Sequence, residues 1–261
     1  MKQLTSLIPK RAKGLIHRVL GKAGLRLVPL TPSSEFDLPE LRAHWLQKLN
    51  IDVVIDVGAN VGQFVGNIRA GGYRSDIVSF EPQQKAYAAL EKAFKSDKRW
   101  KGYRCGLASE EGKLTMQVAG NSMSSSMLPM LDSHSNALPE SAIVGTETVP
   151  VRRLDVVLSS EIDNWNSAFL KIDAQGFEAQ VLQGATAIMP KVTMVELELS
   201  LVPLYEGQDL LPAMLERMDR AGFAPIAMEH GFADPIQHRI LQVDGLFIAK
   251  DQLEHKAGLV P

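Results

Sequence analysis

Acidic side chains follow several apolar runs of this chain, at positions where an open α/β sheet would bind a small ligand. Asp56 follows a run of branched apolar residues, Glu81 follows Ile77–Phe80, and Asp173 follows Phe169–Ile172. In such sheets the ligand lies beyond the carboxyl ends of the strands. We therefore expect these three carboxylates in one site, where they accept hydrogen bonds from hydroxyl or amino groups.

Two glycines, Gly58 and Gly62, stand four residues apart directly after Asp56. We expect Gly58 to turn the chain sharply and Gly62 to let the next helix lie close to a strand or a ligand. The free amides at the start of that helix favour an anionic group. Asn60 occupies the place of the middle glycine that a dinucleotide fingerprint needs for its pyrophosphate. The pattern favours a nucleoside ligand with a carboxylate, such as S-adenosyl-L-methionine.

The carboxylate of Glu81 suits either kind of nucleotide, because an acid at the end of the second strand accepts hydrogen bonds from ribose hydroxyls. It would serve NAD as well as S-adenosyl-L-methionine. An NAD-dependent oxidoreductase on a Rossmann fold is therefore an alternative, and a non-catalytic nucleotide-binding subunit is another.

Strand and helix patterns alternate along most of the chain. Continuous apolar runs predict strands buried on both faces of a sheet, and apolar residues at helical spacing predict helices between them. The alternation predicts an α/β fold with a doubly wound, Rossmann-like, mostly parallel sheet. The strand patterns Ala224–Met228 and Leu241–Ala249 have no helix pattern between them, so we expect one antiparallel strand near the edge.

Two segments depart from this alternation. Residues 119–148 are rich in serine and methionine, and they are too polar for a buried helix and too long for a simple connection. We expect an insertion there that acts as a lid or a binding loop. Residues 1–34 form a basic N-terminal segment and linker, before a main domain at 35–261. Within that segment, residues 9–23 have the pattern of an amphipathic helix that packs on the domain or lies on an anionic membrane surface.

The charge of the chain is uneven, although its formal net charge is only −2. Seven lysines and arginines precede the first acid, Glu35, so the remainder of the chain is acidic. Nucleic-acid enzymes carry a basic surface on the catalytic body, so we expect no nucleic-acid partner. The single cysteine excludes an internal disulfide, and no apolar run is long enough to span a membrane. We expect a cytoplasmic protein with peripheral contact at the inner membrane face.

Four separated motifs resemble those of the FkbM-type S-adenosylmethionine-dependent methyltransferases: IDVGANVGQF, VSFEP, FLKIDAQGFEAQVLQGA and MVELELSLVPLY. They occur in the family's order, and the resemblance runs from about Val53 to Phe247. It implies the sheet of class I methyltransferases, with one reversed strand near its end. It also implies transfer of a methyl group from S-adenosyl-L-methionine to oxygen, typically a hydroxyl on a sugar, a glycosylated metabolite or a glycolipid.

The resemblance also assigns cofactor-binding residues. Asp56, Gly58 and Asn60 would surround the methionine portion of the cofactor, Glu81 would bind its ribose, and Gly62 and Asp173 would complete the site. Many members have K-I-D-x-E-G at the fourth strand, where this chain has Gln175 in place of the glutamate. A role that needs a negative charge at this position is therefore not expected.

A hydroxyl acceptor needs a general base at neutral pH, and two residues are candidates. His134 lies in the insertion, and the pKa of a histidine is ordinarily near neutrality. Asp173 would lie beside the methyl donor, where it could instead orient the cofactor amine or cap the next helix.

Six further residues are expected to bind the acceptor. The serines offer hydroxyls and a loop backbone, and the two glutamates share one face of a strand, where buried acids need partners such as acceptor hydroxyls or an internal arginine. These residues are Ser124, Ser125, Ser126, Glu196, Glu198 and Tyr205. The sequence has no Cys/His cluster, so we expect no metal site.

Overall fold

The computed structural model describes residues 38–257, with side chains described for residues 38–254. The basic segment 1–34 and its amphipathic pattern therefore lie outside the described residues. No helix within residues 38–257 is both long and apolar enough to cross a lipid bilayer.

The strands in this part of the chain are β1 (Val53–Val57), β2 (Asp76–Phe80), β3 (Trp100–Tyr103), β4 (Gly106–Leu107), β5 (Gly112–Ala119), β6 (Ile143–Arg152), β7 (Ala168–Ile172), β8 (Val192–Ser200), β9 (Phe223–His230), β10 (Ala233–Asp234), β11 (Arg239–Ile240) and β12 (Gln242–Ala249). The α-helices are α1 (Leu38–Lys48), α2 (Gln63–Ala70), α3 (Gln84–Phe94), α4 (Asp132–Ala137), α5 (Leu154–Val157), α6 (Glu178–Gln183), α7 (Leu211–Arg220) and α8 (Lys250–Ala257). Short 3₁₀ helices lie at Pro139–Ser141, Ile162–Asn164 and Met189–Lys191.

A seven-stranded sheet with the order β3-β2-β1-β7-β8-β12-β9 forms the centre of the fold. Neighbouring strands run parallel except for β12, which runs antiparallel to both β8 and β9. The prediction of a mostly parallel α/β sheet with one reversed strand near its edge is confirmed. β12 can reverse because only a short excursion through β10 and β11 separates it from β9, whereas parallel neighbours need a long crossover.

Strand β1 buries apolar residues on both faces of this sheet. Val53, Ile55 and Val57 join the core cluster on one face, and Val54 joins the cluster that also contains apolar residues of α1 and α2. Successive residues of a strand point to opposite faces. Asp56 therefore lies on the same face as Val54, under α1 and α2.

A smaller sheet with the order β4-β6-β5 contains part of the predicted insertion. Residues 119–148 begin in β5 and end in β6, so the chain between these strands is residues 120–142. The sequence gives little signal for β6, because most of residues 143–148 are exposed and the buried apolar residues of β6 are only Val149 and Val151.

Candidate functional site

A cavity of about 600 Å³ lies at the carboxyl ends of β1, β2, β7 and β8. Residues 120–131, here called the serine loop, border it with residues 121–127. Ligand pockets are typically about 300–1,000 Å³. Asp56, Gly62 and Tyr205 do not line this cavity. The other residues predicted from the sequence do line it: Gly58, Asn60, Glu81, Ser124, Ser125, Ser126, His134, Asp173, Glu196 and Glu198.

Gly58 forms the turn that closes the cavity at the end of β1. Its φ is +76°, and a Cβ atom there would lie 1.8 Å from the backbone oxygen of Asp173. The amides of Gly58 and Ala59 both donate to the carbonyl of Phe80, at 3.0 and 3.1 Å. A side chain at Gly58 is therefore excluded by the neighbouring chain, and the turn is tied to both adjacent strands.

Gly62, predicted to complete the cofactor site, does not line the cavity and packs against α3. A Cβ atom at Gly62 would lie 2.4 Å from Cε2 of Phe94 and 2.9 Å from Cδ1 of Leu90, both on α3. Its φ of +95° is also in the left-handed region. Side chains of α3 therefore occupy the space where a side chain at Gly62 would lie.

Asp56, which the sequence predicts to lie near the methionine portion of the cofactor, does not line the cavity. Its side chain is fully buried, because it lies on the face of β1 that α1 and α2 cover. The Nζ atom of Lys171 lies 3.5 Å from its Oδ1, and 3.3 Å from Oδ2 of Asp173. Burial lowers the pKa of Lys171, but three neighbouring carboxylates outweigh that effect and raise it overall. Lys171 thus stays protonated and neutralises acids on two strands.

Glu81 holds the loop after β2 and faces the cavity. Its Oε2 accepts the amide of Asn60 and its Oε1 accepts the amide of Gln83, each at 2.8 Å. Each oxygen of a carboxylate has a second lone pair, so each can accept one further hydrogen bond. Burial raises the pKa of Glu81 to about 7, although the two backbone hydrogen bonds oppose the shift.

Gln175 connects two carboxylates at the opposite side of the cavity. Its Nε2 donates to Oδ1 of Asp173 at 2.9 Å and to Oε2 of Glu198 at 2.7 Å. Its Oε1 lies 2.7 Å from the hydroxyl of Tyr205, which also lies 3.0 Å from the carbonyl oxygen of Ser124. Tyr205 therefore supports the site from behind, through Gln175 and the serine loop.

Glu198 belongs to a row of three acids on adjacent strands. Asp244 of β12 is paired in register with Glu198 of β8 and with Glu229 of β9, and all three line the cavity. Burial raises the pKa of Glu198 well above its ordinary value, and Asp173 adds to the shift. Burial likewise raises the pKa of Asp244 to about 7. Like charges directly opposite each other destabilise a sheet, so the acidic row is costly to the fold.

Glu196 is paired internally, which is one of the two alternatives that the sequence leaves open. Both of its oxygens accept hydrogen bonds from Arg42 of α1, at 2.7 Å each. The guanidinium of Arg42 also lies 5.0 Å from the centre of the Phe64 ring. Glu196 is therefore committed to an ion pair, although it lines the cavity.

His134 is almost fully buried, with 2% of its surface exposed. Its Nδ1 lies 2.9 Å from the hydroxyl of Ser141, and its ring lies against the rings of Tyr205 and Phe232. Burial lowers the pKa of His134, so the imidazole is neutral at physiological pH. One ring nitrogen is engaged by a hydroxyl, and the ring contributes to the wall of the cavity.

Two of the three predicted serines attach the serine loop to the body of the protein through their hydroxyls, and Ser124 binds within the loop. Ser126 donates its hydroxyl to the carbonyl of Gln175 at 2.7 Å. The hydroxyl oxygen of Ser125 accepts from the amide of Ala119 at 3.0 Å and from Nε2 of Gln83 at 3.2 Å. Ser124 accepts a hydrogen bond from the side chain of Asn121. The hydroxyl protons of Ser124 and Ser125 have no acceptor within residues 38–257 and can be donated to a ligand.

Several residues of the site were not identified from the sequence. Lys171 and Arg42 neutralise buried acids, and Asp244 and Glu229 complete the acidic row. Asp244 could have been noticed as an acid within a run that otherwise predicts a strand. No group of three or more His, Cys, Asp or Glu side chains in the described residues is arranged to hold a metal ion.

The family model of the Methyltransferase FkbM domain matches residues 56–225 of the chain. The matched range includes Glu81, Asp173, Gln175 and Glu198. A comparison with curated proteins found no match. The family match supports a methyltransferase that uses S-adenosyl-L-methionine, and it gives no support to an oxidoreductase.

Several solved structures are similar to this chain at low identity. The FkbM methyltransferase from Methylobacillus flagellatus KT is 15% identical, with a TM-score of 0.44, and the match covers 75% of this chain and 44% of that one. An rRNA methylase from Streptococcus thermophilus is 10% identical, with a TM-score of 0.44, and coverage of 83% and 99%. Magnesium protoporphyrin IX methyltransferase from Synechocystis PCC 6803, with bound SAM, is 8% identical, with a TM-score of 0.41, and coverage of 83% and 86%. The chain therefore spans less than half the length of the Methylobacillus protein.

Proposed function

Because this chain belongs to the FkbM family of methyltransferases, we propose that it transfers a methyl group from S-adenosyl-L-methionine to a hydroxyl group of a sugar, a glycosylated metabolite or a glycolipid. The methyl transfer and the cofactor follow from the family. The hydroxyl and the sugar-like acceptor are supported by the chemistry of the residues around the cavity.

The cofactor-binding side of the cavity fits S-adenosyl-L-methionine. This cofactor supplies a methyl group on a positively charged sulfur, and it offers ribose hydroxyls and an ammonium group as hydrogen-bond donors. The carboxylate of Glu81 retains an acceptor position on each oxygen, beside the backbone amides that it already binds. The buried Oδ1 of Asn60 has no hydrogen-bond partner within the described residues. Both side chains therefore offer acceptors to a ligand rich in donors, and Gly58 lets it approach the backbone.

The acidic row of Glu198, Asp244 and Glu229 is the observation that carries the proposed acceptor class. These carboxylates line the same cavity as Glu81, and the two nearest cations, Lys171 and Arg42, are already paired with other acids. Carboxylates accept hydrogen bonds and donate none when ionised. An acceptor with several adjacent hydroxyl donors would satisfy them without a counter-charge.

The same row disfavours a nucleic-acid acceptor. Phosphate groups are negatively charged, and proteins bind them with lysine and arginine. Around this cavity the acids outnumber the basic side chains, and Arg42 is held by Glu196. We therefore propose a small-molecule or glycolipid acceptor rather than RNA.

The chain contributes mainly by holding the two reactants in line. When the protein holds the nucleophile and the electrophile in a reactive geometry, their loss of translational and rotational entropy no longer adds to the activation barrier. Glu81 and the Gly58 turn would fix the cofactor at one side of the cavity. The serine loop would fix the acceptor at the other side, with the free hydroxyl protons of Ser124 and Ser125.

A transfer assay tests this proposal. Radiolabelled S-adenosyl-L-methionine is incubated with the protein and with separate panels of glycosides, amines, thiols and RNA. We expect label in the glycosides, with loss of transfer when the free hydroxyls of an active glycoside are acetylated. Label in the amines, the thiols or the RNA, with none in the glycosides, would refute the proposed acceptor class. Binding of S-adenosylhomocysteine with no transfer to any panel would favour a non-catalytic subunit.

We further propose that the protein is cytoplasmic and contacts the inner membrane face through its basic N-terminal segment, where glycolipid acceptors would be available. The support is the sequence alone: seven lysines and arginines precede Glu35, together with an apolar stripe at helical spacing within residues 9–23. Each basic residue contributes about 1 kcal/mol at an anionic surface.

Co-sedimentation with vesicles tests the membrane contact. The full chain and a truncated chain that begins at Ser34 are compared on phosphatidylserine and on phosphatidylcholine vesicles. We expect only the full chain to sediment with phosphatidylserine, and less at high salt, since the Debye length falls from ~10 Å at 0.1 M to ~3 Å at 1 M. Equal sedimentation of both chains, or none from either, would leave the segment with a packing role.

A further inference from the structure

The carboxamide of Gln175 is fixed by three different side chains. Its two N–H groups donate to Asp173 and to Glu198, and its oxygen lies 2.7 Å from the hydroxyl of Tyr205. A reversed amide would place its oxygen against two carboxylates, which cannot donate when ionised. The backbone of Gln175 has a φ of +53°, and its carbonyl accepts the hydroxyl of Ser126. A non-glycine residue keeps such a conformation only where its surroundings determine it.

The two carboxylates that Gln175 connects differ in how many of their oxygens are engaged. Asp173 has both oxygens in use, because Gln175 binds Oδ1 and Lys171 lies 3.3 Å from Oδ2. Glu198 has only Oε2 in use, and within residues 38–257 its Oε1 accepts no hydrogen bond. Gln175 and Lys171 therefore occupy both oxygens of Asp173. Glu198 keeps one oxygen free in the cavity.

Glu198 also lies close to the expected position of the methyl donor. The backbone oxygen of Asp173 excludes any side chain from Gly58, so Asp173 lies directly against the turn of the cofactor site. Gln175 spans the short distance from Asp173 to Glu198 with two hydrogen bonds of 2.9 and 2.7 Å. A hydroxyl bound between the cofactor and the acidic row would therefore be within reach of Oε1 of Glu198.

We propose that Glu198 is the general base of the methyl transfer and that Gln175 is a positioning residue, which holds Glu198 in place. This inference rests on the proposed transfer to a hydroxyl group. The acceptor's O–H bond breaks and its proton passes to Oε1 of Glu198. The new O–C bond forms as the C–S bond breaks, and the electron pair of that bond stays on sulfur. The proton then leaves Glu198 to water after the products dissociate.

The position of Gln175 explains why an amide occurs where many FkbM members have glutamate. A carboxylate at this position would lie within hydrogen-bond distance of two other carboxylates, and one of the three would have to take up a proton. The neutral amide instead donates to both neighbours, and its hydrogen bond favours the ionised form of Glu198. Glutamine in place of glutamate at this position thus gives the chain a hydrogen-bond donor between Asp173 and Glu198.

Charged and titratable groups face Glu198 from several elements, so its protonation depends on more than Gln175. They raise its pKa together with burial, except for Lys171, which lowers it. These groups are Asp173 after β7, Glu178 of α6, Asp244 of β12 and Lys171 of β7. Glutamate must be ionised to accept a proton, so turnover should rise with pH through the pKa of Glu198.

The first test compares four variants of the intact chain with the wild type on an active glycoside. We expect Glu198→Gln to lower kcat by about 10²–10⁴, the usual contribution of a general base, while its affinity for S-adenosylhomocysteine by calorimetry stays within about twofold. Glu198→Asp should recover part of the activity. Asp173→Asn should keep a larger fraction of kcat than Glu198→Gln. A Glu198→Gln variant that retains more than a tenth of kcat would overturn the assignment, as would an equal loss in His134→Ala.

The second test concerns Gln175. Gln175→Met keeps a side chain of similar length but donates no hydrogen bond, so the acidic limb of the kcat profile should move to higher pH by about one unit, the size of one lost charge-assisted hydrogen bond. Tyr205→Phe should move the limb in the same direction by less. If the acidic limb of the kcat profile lies at the same pH in Gln175→Met as in the wild type, Gln175 has only a structural role and that part of the proposal is overturned.

A measurement without turnover separates failure of this inference from failure of the proposed function. A carboxyl whose pKa is raised on folding destabilises the protein as pH increases from its unfolded to its folded pKa. The melting temperature of Glu198→Gln relative to the wild type should therefore increase with pH. The melting temperature of Gln175→Met relative to the wild type should decrease with pH, because loss of the hydrogen bond raises the pKa of Glu198 further. If no glycoside is methylated but both melting-temperature differences change with pH as expected, only the proposed acceptor class is refuted. If neither difference changes with pH, the roles of Glu198 and Gln175 are refuted, whatever the acceptor is.

Discussion

Arg42 donates two hydrogen bonds of 2.7 Å to the two oxygens of Glu196, and both side chains are buried. The pair joins α1 to strand β8 of the seven-stranded sheet across 154 residues of sequence. It also removes one carboxylate from the set that is free to bind a ligand, so the acidic side of the cavity is left to Glu198, Asp244 and Glu229.

Arg42→Met should therefore destabilise the fold strongly. Removal of one partner leaves the charge of Glu196 buried without compensation, which costs about 3–5 kcal/mol. The free energy of unfolding in urea measures the effect. Arg152→Met is a matched control, because its pair with Glu111 is about half exposed and such pairs contribute roughly 0–1 kcal/mol. Equal losses in the two variants would show that the buried pair has no special weight.

Glu81→Ala should weaken cofactor binding and leave the fold intact. Hydrogen bonds to a charged group contribute roughly 1.5–3 kcal/mol each, so the dissociation constant of S-adenosylhomocysteine should increase about tenfold to a hundredfold. Calorimetry gives this constant, and thermal unfolding checks the fold. An unchanged dissociation constant would remove Glu81 from the ribose site.

Cofactor binding should weaken below about pH 7, because burial raises the pKa of Glu81 to about 7. Only the ionised carboxylate can accept hydrogen bonds from both ribose hydroxyls of the cofactor. The group is ionised above this pKa, so affinity should be constant at higher pH and fall as pH decreases through it. In Glu81→Gln this dependence should disappear. A titration of S-adenosylhomocysteine between pH 5.5 and 8.5 decides, and identical pH profiles for both proteins would contradict the assignment.

Gly58→Ala should disturb both stability and cofactor binding, because the new Cβ would lie 1.8 Å from the backbone oxygen of Asp173 and the φ is +76°. Gly72→Ala separates these causes, since Gly72 has a φ of +98° but no atom within 4 Å. A positive φ alone costs of order 1–3 kcal/mol. We expect Gly58→Ala to lose more free energy of unfolding than Gly72→Ala, and it alone should lose affinity for S-adenosylhomocysteine. Equal losses of unfolding free energy in the two variants would mean that the backbone at Asp173 moves away from the new Cβ at little cost.

His134→Asn should lower turnover by less than about tenfold at constant cofactor affinity, because the imidazole is held by Ser141 and packs on two aromatic rings. Its melting temperature should fall, since the ring packing is lost. A decrease in kcat of about 10²–10⁴ would instead identify His134 as the base, as the sequence first suggests.

The mostly parallel sheet and its one reversed strand near the edge could be predicted from the sequence, because alternating apolar runs and helical patterns depend on neighbouring residues. The roles of single residues were less accessible. Gly62 is small because Phe94 lies beside it, and Glu196 is paired because Arg42 reaches it from α1. Both relationships join distant parts of the chain, so no local pattern reports them.

Asp56 illustrates a different limit. Its place in the motif suggests a ligand contact. The alternation of side chains along β1 instead puts it on the face that α1 and α2 cover, where Nζ of Lys171 lies 3.5 Å from its Oδ1. Gln175 was visible as a departure from the family pattern, but its three partners were not. Their convergence depends on the left-handed backbone of Gln175 and on the position of Tyr205, which tertiary structure alone determines.

The place of β12 between β8 and β9 has a consequence for synthesis of the chain. Domains fold in part while the chain is still being made, from the N-terminal side. Until residues 242–249 are available, β8 has no neighbour on one side and β9 has no place in the sheet. Unpaired strand edges recruit other chains. The nascent protein should therefore be most prone to aggregation in the interval between the emergence of β9 and that of β12, and a chaperone that binds exposed strands would act then.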